Sequence, residues 1–286
     1  GKGGVGKSTI SALTALNLAH LGHDTLLVSM DPAHNQSDIF QRQFSEKPKP
    51  VIGNLAVKEV DLDSWMATYL KDTRSHLKKA YCYQSAFNIQ NHYDILKYSP
   101  GLEEYALLLA FENTLHTEKR RGHIVFDMPP TALTMRFFSL PSITLIWLKE
   151  LLRLRSQIYE KKEIISKIKF GKRKMEQDKV KDRLQSLINE QIHLLNHFGA
   201  AGTRINLVLN NEPLSLAEAI RIRKKLGDIG IDIHRIMVNR IKNAEPMEPI
   251  TNQFKGYPIT RFPIGSDKLY GLSSLEKYLL DTPLFA

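Results

Sequence analysis

Cysteine is almost absent from this sequence. The 286 residues include one, Cys82, which excludes an intramolecular disulfide and any all-cysteine metal site within one chain. So few thiols fit a reducing, cytoplasmic home. Uninterrupted apolar runs of about 18 residues are missing too, so no helix is expected to span a membrane. No secretory signal is visible. Neither glycine nor proline is in excess, and 42% of the residues are hydrophobic, which excludes a wholly disordered or collagen-like chain. The length supports a sizeable core, in one large α/β domain or two small ones.

Acidic charge is the scarcer sign, with 30 Asp and Glu against 40 Lys and Arg. The resulting net charge of +10 suits nucleic acid, an anionic membrane surface or phosphate-bearing ligands. Residues 149–183 carry 13 basic and 6 acidic side chains. Most of the surplus therefore sits in one segment, whose plainest reading is a solvated helical face.

The informative residues come first in the chain. Gly1-Lys2-Gly3-Gly4-Val5-Gly6-Lys7-Ser8-Thr9 fits the phosphate-loop pattern G-x-x-x-x-G-K-S/T. Such a loop wraps a triphosphate with backbone N–H groups, so side chains would obstruct it; Gly1, Gly3, Gly4 and Gly6 remove them and permit positive φ. A helix starting near Lys7 turns its positive dipole end to the phosphates. Lys7 supplies a cation to the terminal phosphates, and the Ser8 hydroxyl suits Mg²⁺. A buried parallel strand should lead into a loop of this kind. The expectation is such a strand ahead of Gly1, in a true N-terminus about ten residues upstream, rather than another segment filling its place.

Further along, strands are expected at 25–30, 55–60, 93–98, 123–126, 205–209, 235–238 and 259–264. Helices are expected at 102–121, 136–197 with a break at Gly171, 214–226 and 266–280, and a mixed, helix-like pattern at 62–91. Strands alternating with helices predict an α/β fold with a mostly parallel, doubly wound sheet. Ligands of such sheets bind at the carboxyl ends of strands. The glycine loop, Asp31 and Asp127 all fall at such ends. A water attacking a γ-phosphate needs an acceptor to orient it and take its proton, and Asp31 is the best candidate.

The early Lys2 makes the loop K-G-G-x-G-K-S/T. This resembles the deviant phosphate loop of the ATPases that include the nitrogenase iron protein, the partition ATPases, and the arsenite-pump and tail-anchored-protein-targeting ATPases. Asp31-Pro32-Ala33-His34-Asn35-Gln36-Ser37-Asp38 and the segment from Asp127 through Pro130-Thr131, Thr134, Arg136 and Leu140-Pro141 resemble the two switch segments of the last two groups. Pro100-Gly101-Leu102-Glu103-Glu104, Glu212-Pro213-Leu214-Ser215-Leu216, Val238-Asn239-Arg240, Pro263-Ile264 and Gly271-Leu272 are similar to further motifs of that family, in order and over nearly the whole chain. The resemblance implies an ATPase using ATP and Mg²⁺. It implies that Lys2 crosses to a partner's nucleotide, that Asp31 is catalytic, that Asp127 holds Mg²⁺ through water and senses hydrolysis, that Glu212 lies at the nucleotide, and that Asn239 meets the adenine.

Departures from the family narrow the activity. Cys82 alone cannot form the three-thiolate site that binds metalloid, and residues 243–257, where a C-x-x-C zinc clasp belongs, hold no cysteine. Lys268 and Tyr270 stand where the closing motif is usually acidic and basic. The client groove of targeting members is methionine-rich, whereas residues 140–198 contain only Met175. The apolar stretch Leu145, Ile146, Trp147, Leu148, Leu151, Leu152 and Leu154 reads first as core packing and second as a groove for a hydrophobic partner.

These features predict one ATPase domain over 1–286, with a helical subdomain from about 62–121 and 137–198. Nucleotide closes a homodimer, and the movement reaches a protein client or membrane-protein partner. The alternatives are a partition-type ATPase that binds DNA through 149–183, and a binding-only nucleotide module; nucleic acid is the weaker of the partners.

Overall fold

A computed structural model describes residues 1, 3–80, 97, 99–170, 178–242, 246–265 and 268–282. Helix α1 (Lys7–His20) leads to strand β1 (Thr25–Ser29), the short α2 (Asn35–Phe40) and the strands β2 (Lys49–Ile52) and β3 (Leu55–Glu59). Helices α3 (Leu62–Ala80) and α4 (Leu102–Thr117), strand β4 (His123–Asp127), and helices α5 (Thr131–Phe170) and α6 (Lys179–Phe198) follow. The chain then runs through β5 (Asn206–Asn210), α7 (Pro213–Asp228), β6 (Arg235–Ile241), α8 (Glu248–Gln253), β7 (Ile259–Pro263) and α9 (Leu272–Asp281).

The strands lie in the orders β2-β3-β1-β4 and β5-β6-β7. Every pair is parallel except β2 with β3. Side-chain alternation sorts the two faces. Leu26, Val28, Leu207, Leu209, Ile236 and Val238 join one core with α4, α5 and α7 residues, while Leu27, Val208 and Met237 join another with α1 and α9. Each core crosses both sheets, so the sheets form one α/β layer covered on both sides, as expected. Among the described residues no strand pairs with the outer edge of β4 or of β5.

Helix α5 packs along α6 and α4. Phe111, Phe137, Phe138 and Phe198 hold the three together, with ring centroids 5.1 to 5.6 Å apart. Gly101, at φ 84°, opens α4 and brings the nearly buried Glu104 carboxylate to Arg136 Nη1 at 2.6 Å. Two segments singled out in the sequence are thus joined by an ion pair. Because Arg136 is largely exposed, a double-mutant cycle with Glu104→Met and Arg136→Met in urea should return a coupling of about 1 kcal/mol. A coupling of zero would make the pair incidental.

Four expectations need revision. Strand β2 is not among the expected strands, because Pro48 and Pro50 argue against one; it is tolerated as an antiparallel edge. Helix α9 starts at Leu272 rather than 266, since Gly271 takes φ 79° and donates its N–H to Ile39 O at 2.7 Å. The apolar stretch of α5 is not core: Leu148 is buried, but Ile146 and Trp147 are 70% and 65% exposed, and Leu151 and Leu154 are exposed too. Finally, Thr131–Lys161 of α5 is long and apolar enough to cross a bilayer by length and composition, with 28% of its most apolar window buried. Scattered Ser and Thr and few charges achieve this without an unbroken apolar run. The expected strand at 93–98 falls, but for Lys97, outside the described residues, as do Cys82 and Met175.

Candidate active site

Two parallel strands end side by side. Ser29 of β1 is in register with Asp127 of β4, and Met30 N donates to Asp127 O at 2.9 Å. Asp31 therefore leaves β1 beside Asp127, and α1 packs against both strands. The glycine loop opens that helix. Gly6 is its N-cap in the left-handed region (φ 88°), without a side-chain cap, and no acidic residue occupies the first turn. The first N–H groups are left for an external anion. Gly4 also has positive φ, and a Cβ on Gly3 or Gly4 would meet nothing within 4 Å, so the cradle is open where phosphates would enter.

Charge gathers at this mouth. The Lys7 ammonium is half-buried and makes no ion pair or hydrogen bond among the described residues. Burial pushes it below its ordinary range, and the fields of Asp127 and Asp31 pull it back. Asp127 is fully buried. Burial raises its carboxyl, hydrogen bonds from Gln36 and Ser8 oppose the rise, Asp31 adds to it and Lys7 opposes it. Asp31 Oδ1 accepts from Ala33 N at 3.1 Å, which sets the loop, while Oδ2 accepts no hydrogen bond among the described residues. One cation, one free carboxylate oxygen and a ring of N–H donors can bind a triphosphate and orient a water.

The family model for anion-transporting ATPases matches residues 1–257. The chain belongs to the anion-transporting ATPase family. A relative provisionally named arsenical pump-driving ATPase 2, from Aquifex aeolicus, is 26% identical over 99% of this chain and 97% of its own. The ATPase get3 of Aspergillus terreus is 28% identical over 97% of this chain and 87% of its own. An ATPase ASNA1 homolog of Plasmodium vivax is 30% identical over 88% of this chain and 64% of its own. Family and relatives make this anion-transporting-ATPase chain an ATPase.

Of the residues expected in the site, the structure brings Gly1, Gly3, Gly4, Val5, Gly6, Lys7, Ser8, Thr9, Asp31 and Asp127 to one place. Asn239 joins them: its Nδ2 donates to Val5 O at 2.8 Å, and a Cβ on Gly6 would run into that amide. Glu212 lies two residues beyond Asn210, which is in register with Asn239. It is the exposed N-cap of α7, and its carboxylate forms no hydrogen bond or ion pair among the described residues. Lys2 lies outside the described residues.

Other residues join the site without a role assigned to them from the sequence. Thr131 Oγ1 donates to Gly1 O at 2.8 Å, tying the Asp127 segment to the loop. Ser11 Oγ donates to Asp127 Oδ1 at 3.3 Å. Glu59, buried at the end of β3, accepts from Ser37 N at 2.8 Å and Ser37 Oγ at 2.7 Å. Its Oε2 lies 3.6 Å from His34 Nδ1. Glu59 ends β3 as Asp127 ends β4, but Lys58 interrupts the apolar run before it, so the pattern that flags Asp31 and Asp127 does not mark it. A groove of about 1280 Å³ runs from Gly3 past Pro130 to Arg136, Glu218 and Arg221.

Proposed function

We propose that this ATPase is Mg²⁺-dependent, and that its turnover closes and opens a homodimer coupled to a protein or membrane-transport partner. The carrying observation is the convergence of one half-buried lysine and two aspartates at the mouth of the glycine loop. In this reading the loop and the first turn of α1 receive the phosphates, and Lys7 balances the terminal ones. Asp31 orients the attacking water and takes its proton as the water oxygen bonds the γ-phosphorus and the bridging oxygen leaves with ADP. Ser8 and, through water, Asp127 would hold Mg²⁺, which when bound offsets the charge of the phosphates. The donor set fits a hard cation, because Ser8 and Asp127 offer oxygen alone. Asn35 Nδ2 donates to the Ser8 hydroxyl at 3.4 Å. Asn239 is assigned to the adenine, Glu212 to the nucleotide and Lys2 to the nucleotide of the facing protomer.

The groove beside Gly3 carries both signs, Arg221 and Lys225 against Glu218 and Asp228, which suits the meeting of two identical faces. The exposed apolar side of α5 favours a hydrophobic partner. DNA is the weaker reading, because part of the basic segment is already engaged: Arg153 with Glu150 at 2.6 Å, Arg155 with Asp178 at 2.9 Å and Arg183 with Glu190 at 3.5 Å. In purified protein, EDTA should abolish ATP turnover, and ATP should shift the Asp31→Asn variant to dimer mass in light scattering and retain the partner in a pull-down. Turnover that survives chelation, or ATP-bound variant that stays monomeric, contradicts the proposal. ATP-dependent DNA binding that weakens steeply between two salt concentrations would favour the partition-type reading instead.

A further inference from the structure

Gln36 is an uncharged residue on a six-residue helix, and nothing above gives it a role. Its side chain is nevertheless fully buried. Its Nε2 donates to Asp127 Oδ2 at 2.9 Å and to Ser8 O at 3.0 Å. A primary amide has two N–H groups, so both are committed, one to the carboxylate and one to the backbone of α1. Its Oε1 is buried without a hydrogen-bond partner among the described residues. Leaving such an acceptor unsatisfied costs about 1–3 kcal/mol. An apolar side chain of the same length would avoid that cost, so the amide's value lies in its two donors.

The surroundings make α2 a rigid connector. On one side Ser37 is clamped to Glu59 by the two hydrogen bonds already described, and Phe44 N donates to Ser37 Oγ at 3.1 Å. On the other, Asn35 and Gln36 both reach Ser8. Asp31 starts the loop that runs directly into this helix. The residues that follow β1 therefore cannot shift without drawing the Gln36 amide along, and that amide grips a carboxylate 91 positions away in sequence.

We propose that Gln36 is a positioning residue that couples the two aspartate loops, setting the orientation of the Asp127 carboxylate and linking its position to that of residues 31–40. The Gln36 amide holds Oδ2 of Asp127 by a short bond, whereas Oδ1 receives Ser11 at 3.3 Å. Without the amide, the buried carboxylate loses a firm restraint on rotation about its own axis, and Ser8 O loses a donor. The inference rests on the assignment of Asp127 proposed above, and its test separates the two.

The experiment compares wild type, Gln36→Met, Asp127→Asn and the double variant. It measures kcat, KM for ATP, the half-saturating Mg²⁺ concentration and the thermal midpoint. Groups that orient a metal-binding side chain typically change affinity or activity by about 10–100-fold when removed. Gln36→Met should therefore lower kcat and raise the half-saturating Mg²⁺ by about tenfold or more, with KM for ATP changed less than about threefold. In the Asp127→Asn background the same substitution should have little further effect, because its target is gone. A loss of folded protein with unchanged Mg²⁺ dependence, or effects that add in the double variant, would overturn the coupling role. If Asp127→Asn itself leaves turnover and Mg²⁺ dependence intact, the site assignment fails first. If Asp127→Asn is inactive while Gln36→Met behaves as wild type, this inference alone fails.

Discussion

Asp31→Asn should lower kcat for ATP hydrolysis by about 10²–10⁴-fold, equivalent to about 3–5 kcal/mol of transition-state stabilisation, while nucleotide binding persists. Asparagine keeps the Oδ1 that accepts from Ala33 N, so the loop after β1 retains its shape, and the lost group is the oxygen that takes a proton. Removing a negative charge beside Lys7 also leaves the phosphate cradle no less attractive to an anion. The expected signature is therefore slow turnover with a KM for ATP equal to or below that of wild type. Asp31→Ala, which also removes the acceptor for Ala33, should additionally lower the thermal midpoint. Normal turnover by Asp31→Asn would end the catalytic assignment.

Gly6→Ala should be far more damaging than the same added methyl group at Gly3. Gly6 sits at φ 88° and ψ 29°, where an L-residue costs about 1–2 kcal/mol. The new Cβ would also be driven into Asn239 Nδ2, the amide that holds Val5 O. Relieving that overlap displaces β6 from the loop or opens the loop itself, so both stability and nucleotide affinity fall. A destabilisation of about 2–4 kcal/mol is expected in urea unfolding, with ATP binding reduced beyond the range of a fluorescent-nucleotide titration. Gly3→Ala is the internal comparison. Its Cβ meets nothing within 4 Å, so its stability should stay within about 0.5 kcal/mol of wild type. Equal stabilities for the two variants would refute the argument from backbone geometry.

The parts of the site written as short local patterns are legible in the sequence. The glycine loop is nine consecutive residues, and Asp31 and Asp127 each end an apolar strand that stands out from its neighbours. The parts made by long-range contact are not legible there. Nothing in residues 35–38 says that Gln36 lies against Asp127, nor that Ser37 is clamped by Glu59, since 91 and 22 positions separate those partners. Thr131 and Gly1 lie 130 positions apart and share a hydrogen bond. Asn239 is assigned to a ligand by likeness, and the fold adds a second task, holding the loop's own backbone. Strand β2 stays hidden because local rules count Pro50, and Pro48 just before it, against a strand, and only its place at an edge makes them harmless.

Helix α5 shows the same division. Its helicity and its apolar content are readable from periodicity, yet which face is covered is not. Both sides carry leucine and isoleucine, and the choice falls to packing with α4 and α6, which covers Phe137 and Phe138 and leaves Ile146, Trp147 and Leu154 in the open. By itself, then, the sequence determined the chemistry on offer: an anion cradle, a cation, two carboxylates at strand ends, and the alternation that builds a parallel sheet. Those follow from residue type and near neighbours, because backbone freedom, charge and side-chain period are local properties. The tertiary structure decided which buried amide grips which carboxylate and which apolar face remains exposed, because those depend on packing between segments far apart in the chain.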